Sequence, residues 1–106
     1  MPKYLWEVSY TTEGSKGLLK EGGTKRRAAA EKALAGVGGK LDELYYAFGK
    51  NDLIAIVDFP DNVSAAAASL AVASSGAISV RTTVLLTTAE IDSATKKKIS
   101  YRAPGK

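Results

Sequence analysis

Five polar side chains recur at alternate positions along three predicted strands. The first strand presents Glu7 and Ser9 on one face, because side chains alternate along a strand. By the same alternation, Tyr45 belongs to the matching face of the second strand, and Arg81 and Thr83 to that of the fourth. A carboxylate, a phenol and a guanidinium on neighbouring strands could line a small polar pocket and supply an acid or a base. We predict these five residues as a ligand-binding set.

The alternative interpretation of this set is structural. If the first and fourth strands are neighbours, Glu7 and Arg81 can pair, and a pair buried at an interface satisfies itself without a ligand. Structural ion pairs shift the pKa values of their members much as functional ion pairs do. The five residues therefore mark a candidate site, and none of them is assigned a catalytic role.

A second candidate is the basic run beside Gly22 and Gly23. A glycine break ahead of a helix N-terminus leaves free backbone N–H groups that can hold an anion, and Lys25, Arg26 and Arg27 follow after Thr24. The run lacks the spacing of a phosphate-binding loop and of a dinucleotide fingerprint. Charged runs also decorate solvated helix faces. We predict the three basic residues as an anion-binding alternative to such a face.

Neither cysteine nor histidine occurs in the 106 residues. The absence of cysteine excludes disulfides, thiolate metal sites and a cysteine nucleophile. The absence of histidine removes the usual general base and the commonest metal ligand. We predict no metal site and no cofactor, so any acid–base chemistry would fall to carboxylates, lysines or tyrosines.

The net charge of +4 comes from the C-terminal end. Residues 96–106 contain five basic residues and no acid, whereas the first 95 residues contain ten basic and eleven acidic residues. A nucleic-acid-binding face should be basic over an extended surface, so nucleic acid is not an expected partner. The alternative, contact through the tail, predicts salt-dependent binding that disappears when residues 96–106 are removed.

Membrane and export signals are also missing from the sequence. No apolar run approaches the length of a membrane span, and the first residues lack the apolar core of a signal peptide. We therefore predict a cytoplasmic location without membrane contact.

Five aromatic residues could stack on bases if they lay on an exposed sheet face. They alternate with the strand period on the face that we assign to the helices, so core packing is the preferred interpretation. These residues are Tyr4, Trp6, Tyr10, Tyr46 and Phe48.

The predicted strands follow from periodicity and turn residues. Residues 53–57 are apolar at consecutive positions, which predicts a central strand covered on both faces. Gly49 and Asn51 precede this strand and supply the positive-φ positions of a short hairpin turn. The four strands are predicted at residues 3–10, 40–48, 52–59 and 78–86.

The predicted helices begin at capping residues. Thr11 opens the first helix, which Gly22 and Gly23 interrupt, and Thr24 caps the second piece. Pro60 and Asp61 open the long alanine-rich helix. Thr87 and Glu90 stand at capping-box spacing ahead of a short terminal helix that reaches about residue 98.

This order of elements is β-α-β-β-α-β followed by a helix, which is typical of an α+β, ferredoxin-like fold. Its four-stranded antiparallel sheet has the first and third strands in the centre and two helices on one face. We expect one such domain over residues 1–99 and a tail over residues 100–106.

The helix-free face of this sheet predicts a homodimer. A large exposed apolar face usually marks an interface, so we expect two sheets to pack face to face about a two-fold axis. Such dimers could assemble further. We assign to this face Leu5, Tyr45, Leu53, Ala55, Val57 and Leu85.

Four motifs carry a family resemblance. They are Met-Pro-Lys-Tyr at the start, residues 16–27, Tyr-Ala-Phe-Gly-x-x-Asp at 46–52 and Ser-Tyr-Arg-Ala-Pro-Gly at 100–105. Together they resemble the GYD domain family of small bacterial proteins, although Lys50 and Asn51 stand where the family's Gly-Tyr-Asp triplet has its tyrosine. The resemblance implies a fold of the dimeric α/β barrel type and implies no activity.

Two functional hypotheses follow. The first is a homodimeric domain that binds a small ligand or serves as an assembly unit. The second is a cofactor-independent enzyme acting on a small organic molecule inside the barrel, with Glu7, Tyr45 and Arg81 as its polar groups. The feature that separates them is the space between sheet and helices, which is either an open cavity with Glu7 in its wall or is filled by side chains.

Overall fold

The computed structural model describes residues 1–106 and contains one antiparallel sheet and four helices. The strand order is β2-β3-β1-β4, with β1 and β3 in the centre. This order confirms the predicted α+β fold with a ferredoxin-like arrangement. The elements are β1 (Lys3–Tyr10), α1 (Thr12–Glu21), α2 (Gly23–Ala35), β2 (Lys40–Tyr46), β3 (Leu53–Asp58), α3 (Asn62–Ser74), β4 (Ile78–Leu85) and α4 (Thr88–Thr95).

The core lies between the sheet and the pair of helices α2 and α3. On β1, Tyr4, Trp6 and Val8 alternate into this core and are each at most 6% exposed. Leu34 of α2 and Ala68 of α3 are buried in the same cluster. The alternation predicted for β1 is confirmed.

The placement of β3 side chains in the predicted interface was wrong. Leu53, Ala55 and Val57 lie opposite the buried residues of β1 and face the helices, and Val57 is fully buried. Ile54 and Ile56 instead occupy the helix-free face, which we call the open face, and Ile54 is 37% exposed. A continuously apolar strand has no alternation from which its two faces could be distinguished.

The loop between β2 and β3 also differs from its prediction. The hairpin itself is present, since β2 and β3 pair antiparallel. However, neither Gly49 nor Asn51 has a positive φ. The ladder ends at the pair Tyr46 and Leu53, and a six-residue loop follows in which Phe48 is fully exposed instead of packing with the helices. The longer loop needs no left-handed residue, because it turns more gradually than a two-residue hairpin.

Most predicted helix starts are confirmed. Thr11 caps α1 and Asp61 caps α3, each through its side-chain oxygen. The hydrogen bond from the Ser64 backbone N–H lowers the pKa of the Asp61 carboxyl. Thr87 and Glu90 form the complete capping box of α4.

The start of α2 differs from its prediction. Gly22, and not Thr24, is the N-cap, and its φ of 81° turns the chain between α1 and α2. Glycine tolerates this left-handed conformation because it has no Cβ. The helix therefore begins two residues earlier than a threonine cap would allow.

Residues 86–106, which we call the C-terminal arm, project from the domain. Every residue of the arm except Ala103 is exposed. The radius of gyration is 17.0 Å, whereas a compact domain of this length has about 13 Å. The arm carries four exposed large apolar side chains, which are Leu86, Ile91, Ile99 and Tyr101.

Candidate functional site

The predicted polar set lies together on the open face. In the strand register, Tyr45 is opposite Ile54, Ile54 is opposite Glu7, and Glu7 is opposite Arg81, so these four residues form one row across the sheet. Thr83 lies in the next row beside Leu5. Ser9 lies two residues beyond Glu7, outside this row. The row places a carboxylate, a phenol and a guanidinium on one surface.

The predicted pair of Glu7 and Arg81 is adjacent but makes no ion pair. Oε2 of Glu7 instead accepts a hydrogen bond from Nδ2 of Asn51 at 2.9 Å. Tyr45 is 65% exposed, and Arg81 is also exposed. In the single chain, the polar set therefore lies on an exposed surface and not in an enclosed pocket.

The three predicted anion-binding residues lie in the first turn of α2 and just beyond. The Arg26 guanidinium lies 3.5 Å from Glu21, and that of Arg27 lies 3.4 Å from Glu31. Lys25 is exposed and forms no ion pair. Two of the three positive charges thus have acidic partners along the helices, as is usual for a solvated helix face.

A cavity of about 220 Å³ lies between the sheet and the helices α2 and α3. Its wall contains 20 residues, of which 19 are hydrophobic, and Glu7 is not among them. The exception is Arg26. Helices α2 and α3, with the turn after α2, contribute Ala29, Ala30, Ala33, Leu34, Val37, Ala67, Ala68, Ala71 and Val72, and the sheet side contributes Trp6, Val8, Tyr10, Leu41, Leu44, Tyr46, Leu53, Ala55, Val57 and Ile78.

The alanine content of the two helices explains why this space is open. Six of the eight hydrophobic residues that the helices give to the wall are alanines, and a methyl group reaches only a short distance from the helix backbone. Ala33 and Ala67 remain exposed although they line the cavity. The cavity is therefore a cleft that opens between the helices, with its floor on the buried face of the sheet.

Three aromatic side chains in the wall, those of Trp6, Tyr10 and Tyr46, carry polar atoms. The indole Nε1 of Trp6 is buried and has no hydrogen-bond partner. At the end of β1, burial and the neighbouring Tyr46 phenol raise the pKa of Tyr10. The Tyr46 hydroxyl donates to the Gly23 carbonyl at 3.0 Å and so ties β2 to the start of α2.

Tyr10 and Tyr46 also separate the cavity from a second, more open groove beside Gly22 and Gly23. Asp52 lines this groove, and its Oδ2 accepts from the Tyr10 backbone N–H at 2.7 Å. The Asp52 backbone N–H donates to the Val8 carbonyl at 2.8 Å. Asp52 thereby fastens the β2–β3 loop to the end of β1.

Comparison with family models shows which family the chain belongs to. The model of the GYD domain matches residues 4–95 of the chain. The chain belongs to the GYD domain family. No curated protein and no solved structure matches it.

In this GYD domain, the aspartate of the 46–52 motif is Asp52, and its contacts are with the backbone of β1. Neither Lys50 nor Asn51 lines the cavity. The motif therefore contributes a loop anchor, while the cavity wall comes from the helices and the buried sheet face.

Sequence reasoning did not find the cavity of the GYD domain. It placed the candidate ligand site on the polar face and interpreted the aromatic residues as core. Trp6, Tyr10 and Tyr46 do face the helices as predicted, and Trp6 is buried, but they also line the open space. The nearest signal in the sequence was the pair of alanine clusters at residues 28–30 and 65–68, and it suits tightly packed helices as well as an open cleft.

Proposed function

We propose that the GYD domain binds a small, predominantly apolar organic molecule in the cavity between the sheet and helices α2 and α3. The observation that carries this proposal is the wall itself, with 19 hydrophobic residues of 20 around about 220 Å³. Natural ligand pockets are mostly apolar with a few polar groups that fix orientation. An apolar cavity of about 150 Å³ already binds benzene, so this one suits a one-ring molecule with a short substituent.

The chemistry of the wall argues against a charged ligand inside the cavity. A carboxylate or an ammonium group would lose its hydration among alanine, valine and leucine side chains, which costs several kcal/mol for an unpaired ion. Arg26 is the one charged wall residue, and it already pairs with Glu21. A neutral ligand avoids this cost.

Binding of the one-ring hydrocarbon α-methylstyrene tests the proposal. Isothermal titration calorimetry should give a dissociation constant of roughly 0.1 mM, as expected for a ligand of this size in an apolar site. The variant Ala67→Leu/Ala71→Leu should weaken binding by about tenfold or more, because both positions line the cavity and leucine fills it.

The matched control is Ala66→Leu/Ala73→Leu in the same helix. Both positions are exposed and lie outside the cavity wall, so binding should equal that of the wild type. Equal affinities for all three proteins, or no binding to any of them, would overturn the proposal.

The open face supports a second candidate, self-association into a homodimer. It presents Leu5, Ile54 and Ile56 on the two central strands. Glu7 and Arg81 lie side by side on the same face, and a two-fold axis can bring each of them near its opposite charge in the partner. We infer that two copies pack open face to open face, which would also enclose the polar set.

The variant Ile54→Lys tests this interface by light scattering. Lysine at the centre of the open face should convert a dimer into a monomer, because burying an unpaired charge in the interface costs several kcal/mol. Leu70→Lys on α3, at a position that is 71% exposed, should remain a dimer. A chain ending at Thr87 should also remain a dimer, and loss of the dimer in that chain would place the interface on the C-terminal arm. A monomeric wild type would contradict the inference.

The enzymatic alternative depends on this dimer. No residue of the polar set lines the cavity, so Glu7, Tyr45 and Arg81 would meet a substrate only in a space enclosed by two open faces.

The cytoplasmic location stays a prediction. None of the four helices combines the length and the apolar character needed to cross a bilayer.

A further inference from the structure

The C-terminal arm contains a helix without a buried side. No residue of α4 is buried, although the helix has eight residues and a complete capping box. Isolated helices shorter than about 12–15 residues are marginal in water, because tertiary packing supplies most helical stability. Beyond the helix, Ile99 is 81% exposed and Tyr101 is 76% exposed. The arm therefore has the apolar residues of a packed element but packs on no surface of its own chain.

The charge of the arm limits what it can bind. Its last eleven residues contain five basic residues and no acid. None of these five forms an ion pair within its own chain. A surface that receives the arm should therefore combine exposed apolar groups with acidic residues.

The edge strand β2 presents such a surface. Asp42 and Glu43 lie near its start and are exposed, and Glu43 forms no ion pair. At its other end, Tyr45 is 65% exposed and Tyr46 is 39% exposed. No strand pairs with the outer side of β2, so its edge is also free to receive another segment. The charges and the apolar groups of β2 complement those of the arm.

A second copy brings this strand to the start of the arm. In one chain, the arm leaves β4, at the opposite edge of the sheet from β2. The strand pairing places Leu85, the last residue of β4, level with Lys40, the first residue of β2. When two open faces pack about a two-fold axis along the strands, β4 of one copy faces β2 of the other and the strand ends stay level. The arm then starts beside Lys40 of the partner subunit.

The small area of the open face gives the arm a role in the dimer. Four strands spaced about 4.8 Å apart, each about seven residues long, outline a surface of about 450 Å². A stable, specific interface buries about 800 Å² on each partner. The open face alone therefore gives a weak dimer, and a docked arm supplies further contact area.

We propose that the C-terminal arm of each chain docks along the edge strand β2 of a second copy. α4 is about 12 Å long, which equals about four residues of a strand, so residues 96–98 come level with Glu43 of the partner subunit. Ile99 and Tyr101 then pack on the exposed tyrosines at the end of that strand. This inference rests on the open-face homodimer and does not depend on the ligand of the cavity.

A spin label on the arm locates its docking surface. The chain has no cysteine, so Ser100→Cys gives one site for a nitroxide. Mixed dimers of this labelled chain and ¹⁵N-labelled wild type report only contacts between chains, and the amide signals of β2 should lose intensity in the ¹⁵N chain. A label at Lys32→Cys, which is exposed on α2, should leave these signals much stronger, because α2 packs on β2 of its own chain and lies far from that of the partner.

Sedimentation across a dilution series measures what the arm contributes to the dimer. Ile99→Ser/Tyr101→Ser should raise the dissociation constant of the dimer by about tenfold or more, since two apolar side chains leave the interface. Leu19→Ser/Leu70→Ser is the matched control. Both leucines are more than two-thirds exposed, at 87% and 71%, and lie outside the arm and the open face, so the dissociation constant should equal that of the wild type.

The outcomes separate this inference from the open-face homodimer. If the wild type dimerises but the arm label weakens signals elsewhere or nowhere in the ¹⁵N chain, the arm inference is wrong and the homodimer stands. An unchanged dissociation constant in Ile99→Ser/Tyr101→Ser would also overturn it. A monomeric wild type would overturn both. Weakened β2 signals in a protein that stays dimeric with Ile54→Lys would support the docked arm and overturn the open-face interface.

Discussion

Phe59→Ala should lower the free energy of unfolding by about 3–5 kcal/mol, the usual cost of removing a buried aromatic ring. Phe59 is fully buried directly after β3. Its ring centroid lies 5.4 Å from that of Tyr4 in an edge-on arrangement and 5.9 Å from that of Trp6. Urea unfolding followed by Trp6 fluorescence measures the change.

The chain contains its own control for this prediction. Phe48 is the other of its two phenylalanines, and it is fully exposed in the β2–β3 loop. Phe48→Ala should change the free energy of unfolding by less than about 0.5 kcal/mol. Similar losses for the two variants would contradict the placement of Phe59 at the centre of the aromatic cluster.

Gly14→Ala should destabilise the protein by about 3 kcal/mol, at the upper end of the range for overpacking. A Cβ at this position would lie 2.0 Å from the Ala77 carbonyl oxygen and 2.9 Å from the Tyr10 ring. The Ala77 carbonyl also accepts the Thr11 backbone N–H at 2.9 Å. Relief of the clash would therefore pull the start of α1 away from the segment that leads into β4.

Gly17→Ala in the same helix is the matched control. Nothing lies within 4 Å of a Cβ added there, so alanine should stabilise the helix by about 0.5–1 kcal/mol relative to glycine. Thermal and urea unfolding of both variants should therefore give changes of opposite sign. A stabilised Gly14→Ala would show that α1 does not dock against Ala77 as described.

Local signals predicted much of this fold. The bounds of β1 and the caps at Thr11, Asp61 and Thr87 depend on nearest neighbours in the chain, which the sequence displays directly. The faces of β1 and β4 were also predictable, because polar and apolar residues alternate along both strands. Element order then indicated the sheet topology.

The errors arose where the sequence gives no local contrast. Leu53, Ala55 and Val57 were assigned to the wrong face because Ile54 and Ile56 between them are equally apolar. The contact of Glu7 with Asn51 depends on where a six-residue loop returns to β1, and no residue pattern specifies that path.

The cavity could not be predicted from the sequence for a different reason. Its volume depends on the distance between α2 and α3, which alanine side chains do not determine by their size alone. The same alanines would suit helices that pack tightly on the sheet or helices that leave a cleft. The unpartnered Trp6 nitrogen became visible only once its neighbours were known.

A crystal structure of the protein grown with α-methylstyrene tests the central claim most directly. The account predicts density for one ring between α2 and α3, in contact with Leu34 and Val72, which line the cavity. A cavity closed by repacked side chains, or α-methylstyrene bound elsewhere while this space stays empty, would contradict it.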